Sequence, residues 1–255
     1  MAWLSKKQMN HENTKVALIT GAARRIGATL AIRLHHAGYR ILIHAHRAKQ
    51  EASALQAELN HLRPHSAHVY FADLKDPNTP AALIHETLHW AGRLDCLIHN
   101  ASQFIQTNNA LSAKEIWEHL FTINVQAPYF LSHAAQAPLA EQNGTIIYIT
   151  DIHALTPLKG YDVYCQTKAA LTMQMLAFAK TFAPKIRVNA VAPGAIMWPE
   201  GDNKISDKTK KQIIESTLLQ KHGHPDYIAQ AVLALIQNPF ITGQTLKVDG
   251  GRSLI

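Results

Sequence analysis

Short apolar runs alternate along the chain with segments whose apolar residues recur every three to four positions. The runs KVALIT (15–20), RILIHA (40–45), AHVYFA (67–72), DCLIHN (95–100), GTIIYIT (144–150), KIRVNAV (185–191) and QTLKVDG (244–250) have the length and residue types of strands. Between them, helical periodicity runs from about Arg25 to Ala37 and stops at Gly38, then continues over AKQEASALQAEL (48–59) and DPNTPAALIHETLHWAGR (76–93). The early Pro80 is tolerated in a first turn. Ser112 and Glu115 make a capping-box pattern that opens a helix over LSAKEIWEHLFTINVQ (111–126), and another helix begins near Tyr161. Strand and helix in regular alternation predict an α/β fold: a doubly wound parallel sheet of about seven strands, Rossmann-type, with helices on both faces and right-handed crossovers. The stretch PGAIMWPEGDNKISD (193–207) is irregular and follows a strand's carboxyl end, where such sheets bind ligands, so a mobile lid is expected there.

Length and composition narrow this picture. The 255 residues, 47% hydrophobic, suit one large domain, taken as 14–255 behind a flexible N-terminal tail at 1–13. The N-terminus has no apolar signal core and no run approaches a membrane span, so a soluble, cytoplasmic protein with no membrane partner is expected. Two cysteines, Cys96 and Cys165, exclude a disulfide framework and fit a reducing compartment. The net charge of +7 lacks a Lys/Arg stripe with interleaved aromatics, which argues against nucleic acid and for an anionic cofactor or substrate.

The candidate chemistry gathers at strand ends. TGAARRIG (20–27) lies between the first strand and the first helix. Gly21 and Gly27 permit a tight turn and close helix–sheet packing, which aims helix N-terminal amides at a pyrophosphate. Arg24 and Arg25 add cations where a helix macrodipole disfavours them, which favours an anionic partner over two merely solvated side chains. About 20 positions on, where an NAD-binding fold places an acid, stand His46 and Arg47, which predicts NADPH over NADH. His44 and His46 share a strand face as a metal pair would, but no third ligand is evident. Asp73 and the pair Asn100–Ala101 follow the third and fourth strands, placed to line a cofactor cleft or simply to turn the chain.

Tyr164 and Lys168 lie four apart on one helix face, the spacing of a proton-donating phenol whose pKa an ammonium lowers. Asp151 precedes Tyr164 by thirteen positions. An alkoxide formed by carbonyl reduction needs donors, and an ionised acid would oppose it. Reduction of a C=N bond instead needs a proton on nitrogen, and N–H groups of such a substrate can donate to a carboxylate.

Taken together, TGAARRIG, Asp73 in ADL, HNAS (99–102), Asn124 in INV, YCQTK and the Pro193–Gly194 pair resemble the short-chain dehydrogenase/reductase family over nearly the whole chain. Arg25 in place of the middle glycine, HNAS in place of NNAG, and Asp151 in place of the usual Ser resemble its pteridine reductase branch. Phe104 and the terminal VDGGRSL also suit that branch, whereas Ala48 replaces a Ser that often helps to hold the 2′-phosphate. The resemblance implies cofactor contacts from Gly21, Arg24, Arg25, Ile26, His46, Arg47, Asp73, Leu74, Asn100, Ala101, Ser102, Thr150, Tyr164, Lys168, Pro193, Gly194 and Ile196. It implies a proton-delivery group of Asp151, Asn124, Tyr164 and Lys168. On the substrate side it implies Arg25, Ser102, Asp151, Tyr164, Phe104 stacked on the pterin, and Trp198 closing the pocket or packing within its loop. It also implies a homotetramer built through the helix carrying AALTMQMLAFA and the C-terminal segment, although a neighbouring helix of the same chain would equally cover that apolar face.

The expected activity is therefore NADPH-dependent reduction of dihydrobiopterin- or dihydrofolate-type C=N bonds, with no metal. Dihydromonapterin reduction, a 3-oxoacyl-type carbonyl reductase and a non-catalytic NADPH-binding regulator are the alternatives.

Overall fold

A computed structural model describes residues 13–107 and 111–255, so the expected tail, Asn13 apart, lies outside the described residues. Seven strands form one sheet: β1 (Val16–Ile19), β2 (Arg40–Ala45), β3 (Ala67–Phe71), β4 (Cys96–His99), β5 (Thr145–Ile149), β6 (Arg187–Pro193) and β7 (Thr245–Val248). They are all parallel, in the order β3-β2-β1-β4-β5-β6-β7. The expected fold is thus the observed one. The chain runs outward from β1 to β3, returns to β4 beside β1, and runs out the other way. That reversal opens a crevice beyond the carboxyl ends of β1 and β4, where Ile19 pairs with both Ile43 and Ile98.

Alternation along the strands supplies both cores. Ala17, Ile19, Ile41 and Ile43 face α1 (Arg25–His36), α2 (Lys49–Leu62) and α9 (Pro225–Gln237). Leu18, Leu42, Leu97 and Ile146 face α3 (Thr79–Ala91), α5 (Ala127–Ala134), α6 (Gln136–Glu141) and α7 (Asp162–Thr181). With both faces covered, the central strands are continuously apolar, which is why they read as runs.

Element ends explain the differences from expectation. The third helix starts at Thr79, not Asp76, and ends on Gly92 in the left-handed conformation. The Ser112–Glu115 capping box is present and opens α4 (Ala113–Phe121). The α-helix does not reach Gln126, however. Thr122–Gln126 form a π-turn, after which helix resumes as α5. Pro128 has no N–H for the carbonyl of Asn124, so the regular ladder is interrupted there. Besides α5 and α6, two helices lie where the sequence suggested no element, α8 (Asp207–Glu215) and α9. Ser206 caps the first by accepting from the Thr209 N–H at 3.1 Å, and His224 and Pro225 open the second.

Candidate active site

The glycine turn and the loop after β4 are one unit. Asn100 Nδ2 donates to the carbonyls of Thr20 (2.9 Å) and Gly21 (3.0 Å), and Thr20 Oγ1 accepts from the N–H groups of Asn100 and Ala101. A Cβ on Gly27 would lie 2.3 Å from the Gly21 carbonyl oxygen and 2.6 Å from Asn100 Nδ2, so only glycine lets α1 approach this closely. Gly21 has φ +63°, and a Cβ there would lie 3.0 Å from the Ala101 Cα. The result is a cradle of backbone at a helix N-terminus, which fits a pyrophosphate. His44 fixes the cradle from β2. Its Nδ1 accepts from the Gly21 N–H at 3.2 Å, which leaves Nε2 to donate to the Ala72 carbonyl at 3.1 Å. Burial lowers its pKa to about 4, in keeping with that neutral tautomer. With both nitrogens committed to backbone, His44 is a strut and not half of a metal pair.

Around the cradle the cations stand outermost. His46 and Arg47 are exposed beyond β2, with His46 3.7 Å from Asp73, and Arg24 reaches Glu51 only at 3.9 Å. Asp73 itself turns the chain into α3, its side chain accepting from the Lys75 N–H and its carbonyl from the Thr79 hydroxyl. Leu74 and Ile26 are partly buried against the two cores. Thr150 and Ile196 are buried, Thr150 holding the Val191 carbonyl through both N–H and hydroxyl. Pro193 closes β6, and the Gly194 N–H donates to the Val248 carbonyl.

Arg25 adopts φ +56°, a left-handed conformation that costs a non-glycine residue about 1–2 kcal/mol. Its guanidinium meets the irregular stretch after β6, donating to the Trp198 carbonyl at 3.1 Å and pairing with Glu200 at 2.8 Å. The expected lid is thus fastened to the glycine turn. The Trp198 ring stacks on His222, with centroids 4.2 Å apart.

The Asp151–Tyr164–Lys168 group assembles where β5 meets α7. The Tyr164 hydroxyl donates to Asp151 Oδ2 at 2.7 Å, and Asp151 Oδ1 accepts from the His153 N–H at 2.8 Å. Lys168 is 3% exposed. Its ammonium donates to the Ile149 carbonyl at 3.1 Å and lies 5.6 Å from the Tyr164 ring centroid. The expected lowering of the phenol's pKa is therefore reversed. Burial first, then the Asp151 charge and hydrogen bond, hold Tyr164 well above the usual phenol value. The reason is distance: the carboxylate touches the hydroxyl, whereas the ammonium faces the ring. Burial also lowers Lys168 to about 8, against the opposing pull of Asp151.

Asn124 does not join this group directly. Its Oδ1 accepts from the Ser102 hydroxyl (3.2 Å) and the Gln103 N–H (2.8 Å), and its Nδ2 donates to the Gln103 carbonyl (3.0 Å) and Thr167 Oγ1 (3.1 Å). It ties the loop after β4 to α7 one residue before Lys168. Phe104 lies nearby, its ring flat on Tyr161 (4.1 Å, 9°) and edge-on to Tyr164 (4.8 Å, 85°).

Four residues escaped the sequence reading. Tyr161 and Asn203 contact Phe104, His222 carries Trp198, and Arg252, in the C-terminal turn, feels the Asp151 charge. Only Arg252 had a signal, as the basic residue of VDGGRSL.

The enoyl-(acyl carrier protein) reductase family profile matches residues 21–253. Pteridine reductase 1 of Leishmania tarentolae is 34% identical over 94% of this chain and 96% of its own length. Dihydromonapterin reductase of Klebsiella pneumoniae is 29% identical over 96% and 100%. A 3-oxoacyl-(acyl-carrier-protein) reductase of Staphylococcus aureus is 31% identical over 93% and 98%.

Proposed function

The chain belongs to the short-chain dehydrogenase/reductase family, and from that premise we propose that this oxidoreductase reduces the C=N bond of dihydropterins with NADPH. The observation that carries the reading is the Asp151 carboxylate accepting from the Tyr164 hydroxyl at 2.7 Å. Among the similar proteins, the pteridine and dihydromonapterin reductases favour it, and the 3-oxoacyl reductase supports the carbonyl alternative equally in identity.

The glycine cradle formed by Gly21, Gly27 and Asn100 suits a dinucleotide pyrophosphate. His46, Arg47 and Arg24 are the groups that would meet a 2′-phosphate. When bound, the cofactor supplies hydride. The remaining chemistry belongs to this chain. Tyr164 keeps its proton, because the adjacent carboxylate and burial hold its pKa high, and so is a donor at neutral pH. Asp151 accepts from the amino and ring N–H groups of a pterin, and as the ring docks the Tyr164 hydroxyl turns from the carboxylate to the ring nitrogen that takes its proton. Phe104 stacks on the pterin with the face that Tyr161 does not cover. Lys168 holds positive charge behind the phenol as its proton leaves. An alkoxide in the same place would meet the Asp151 charge instead, which is why a simple ketone fits the site less well.

The test is NADPH oxidation by the purified protein over biopterin, dihydrobiopterin, dihydromonapterin, dihydrofolate and several 3-oxoacyl esters. Turnover of the dihydropterins with weak turnover of the esters is expected; the opposite ranking overturns the reading.

A further inference from the structure

Asn203 belongs to none of the motifs and to none of the expected site residues. It ends the 3-10 turn Gly201–Asn203 between β6 and α8. Both ends of its side-chain amide are used. Nδ2 donates to the Phe104 carbonyl at 2.7 Å, and Oδ1 accepts from the Tyr161 hydroxyl at 3.2 Å. Phe104 and Tyr161 carry the two rings that lie face to face at 4.1 Å, and the Phe104 ring abuts Tyr164 at 4.8 Å. A single amide therefore joins three parts of the chain that are distant in sequence: the loop after β4, the first residue before α7, and the stretch after β6.

That stretch is held at a second point. Arg25 takes the Trp198 carbonyl and the Glu200 carboxylate on the glycine-turn side of the crevice. Residues 198–203 thus run as a strap, with Arg25 at one end and the aromatic pair at the other. The chemistry at the second end is specific to an amide. Aspartate has no donor for the Phe104 carbonyl, and leucine has neither donor nor acceptor.

We propose that Asn203 is a positioning residue: it fastens the strap and fixes the Phe104–Tyr161 ring pair at the orientation in which a flat heterocycle stacks beside Tyr164. Its effect is on binding of the flat substrate and not on cofactor binding or proton transfer, because its two partners are the stacking ring's backbone and the ring behind it. The identity of that substrate as a dihydropterin rests on the function proposed above; the fastening itself does not.

Three variants test it: Asn203→Leu, Tyr161→Phe and the two combined. Asn203→Leu should raise the dihydropterin KM roughly tenfold, near the low end for two lost hydrogen bonds, with kcat within about twofold. The NADPH Kd, read by quenching of protein fluorescence, should not change. Tyr161→Phe removes one of the same two bonds, so the double variant should be no worse than Asn203→Leu alone. Trypsin cleavage after the exposed Lys204, mapped by mass spectrometry, should be roughly tenfold faster in Asn203→Leu, as expected when one anchor is gone. An unchanged KM, a parallel fall in kcat and NADPH affinity, or additive single effects would overturn the positioning role. If the wild-type protein reduces no pterin, the proposed function fails and the cleavage rate alone decides; cleavage no faster than wild type then overturns the strap.

Discussion

At Asp151 a single oxygen contact decides what the neighbouring phenol can do. The 2.7 Å bond from Tyr164 makes the hydroxyl a donor to a carboxylate, and the same contact, added to burial, keeps the phenol protonated. Replacing Asp151 with Ser should therefore cut dihydropterin turnover by at least about a hundredfold, the low end for a lost acid–base group, while NADPH binding stays as in wild type. Retained turnover in Asp151→Ser would remove the carboxylate from the mechanism. Lys168 gives a second, pH-dependent expectation. Its buried ammonium loses its proton near 8, so kcat should fall as pH rises through that value. Stability moves the other way. The unfolded chain holds the Lys168 proton up to its ordinary value of 10.5, so between pH 8 and 10.5 the unfolded state binds more protons than the folded one. Wild type should thus gain stability relative to Lys168→Met across that window, measured as the difference in Tm; a flat difference would show that the ammonium is not desolvated. The residues of this group were legible because Tyr164 and Lys168 share a helix face and Asp151 ends an apolar run. The direction of the phenol's shift was not, since it depends on which charged group lies against the hydroxyl once β5 and α7 have packed.

Elements carry information that single residues do not. Gly27 makes the first helix sit against the loop after β4, and a methyl group there would overlap the Gly21 carbonyl oxygen and the Asn100 amide. Both obstacles belong to the cradle itself, so the overlap cannot be relieved by a flexible side chain. Gly27→Ala should cost about 1–3 kcal/mol, as overpacking does, and weaken NADPH binding at least tenfold. Chemical denaturation and a binding titration read the two effects; wild-type values in both would mean that α1 shifts freely. The strands and the helices α1, α2, α3 and α7 were readable from apolar runs and periodicity, because burial on both faces forces those patterns, whereas α5 and α6 were not read. The π-turn at Thr122–Gln126 was not, because the local sequence is as helical as its surroundings and the break comes from Pro128, beyond the expected helix end. α8 was hidden by its surface character: it buries none of its own residues, so it has no core-facing stripe to read. The cap at His224 and the Pro225 that follows it were a usable signal for α9.

In the whole molecule, two separate apolar surfaces remain exposed among the described residues. On α7 one side packs against the sheet through Leu171, Met175 and Phe178, while Met173 (64% exposed) and Leu176 (42%) point away. Trp117, Tyr129 and Phe130 on α4 and α5 line a shallow groove and are also exposed. At the other end of the sheet, Phe240, Leu246, Leu254 and Ile255 surround the edge strand β7. The sequence left open whether a helix of the same chain covers the second face of α7. Among the described residues no helix covers Met173, which favours a second copy of this chain. A large exposed apolar area is unusual for a monomer, and two such areas on different sides of one chain suit the expected homotetramer, in which two isologous contacts close the assembly. Light scattering after size exclusion should therefore give the mass of four chains for wild type. Met173→Glu combined with Phe130→Glu places like charges across the helix-built contact and leaves the C-terminal one intact, so that variant should run as a dimer with its circular dichroism unchanged. A wild-type monomer would refute the tetramer outright. A variant that stays tetrameric would move the contact off the α4, α5 and α7 surface, and one that falls to monomer would show that the C-terminal surface cannot hold two chains together by itself.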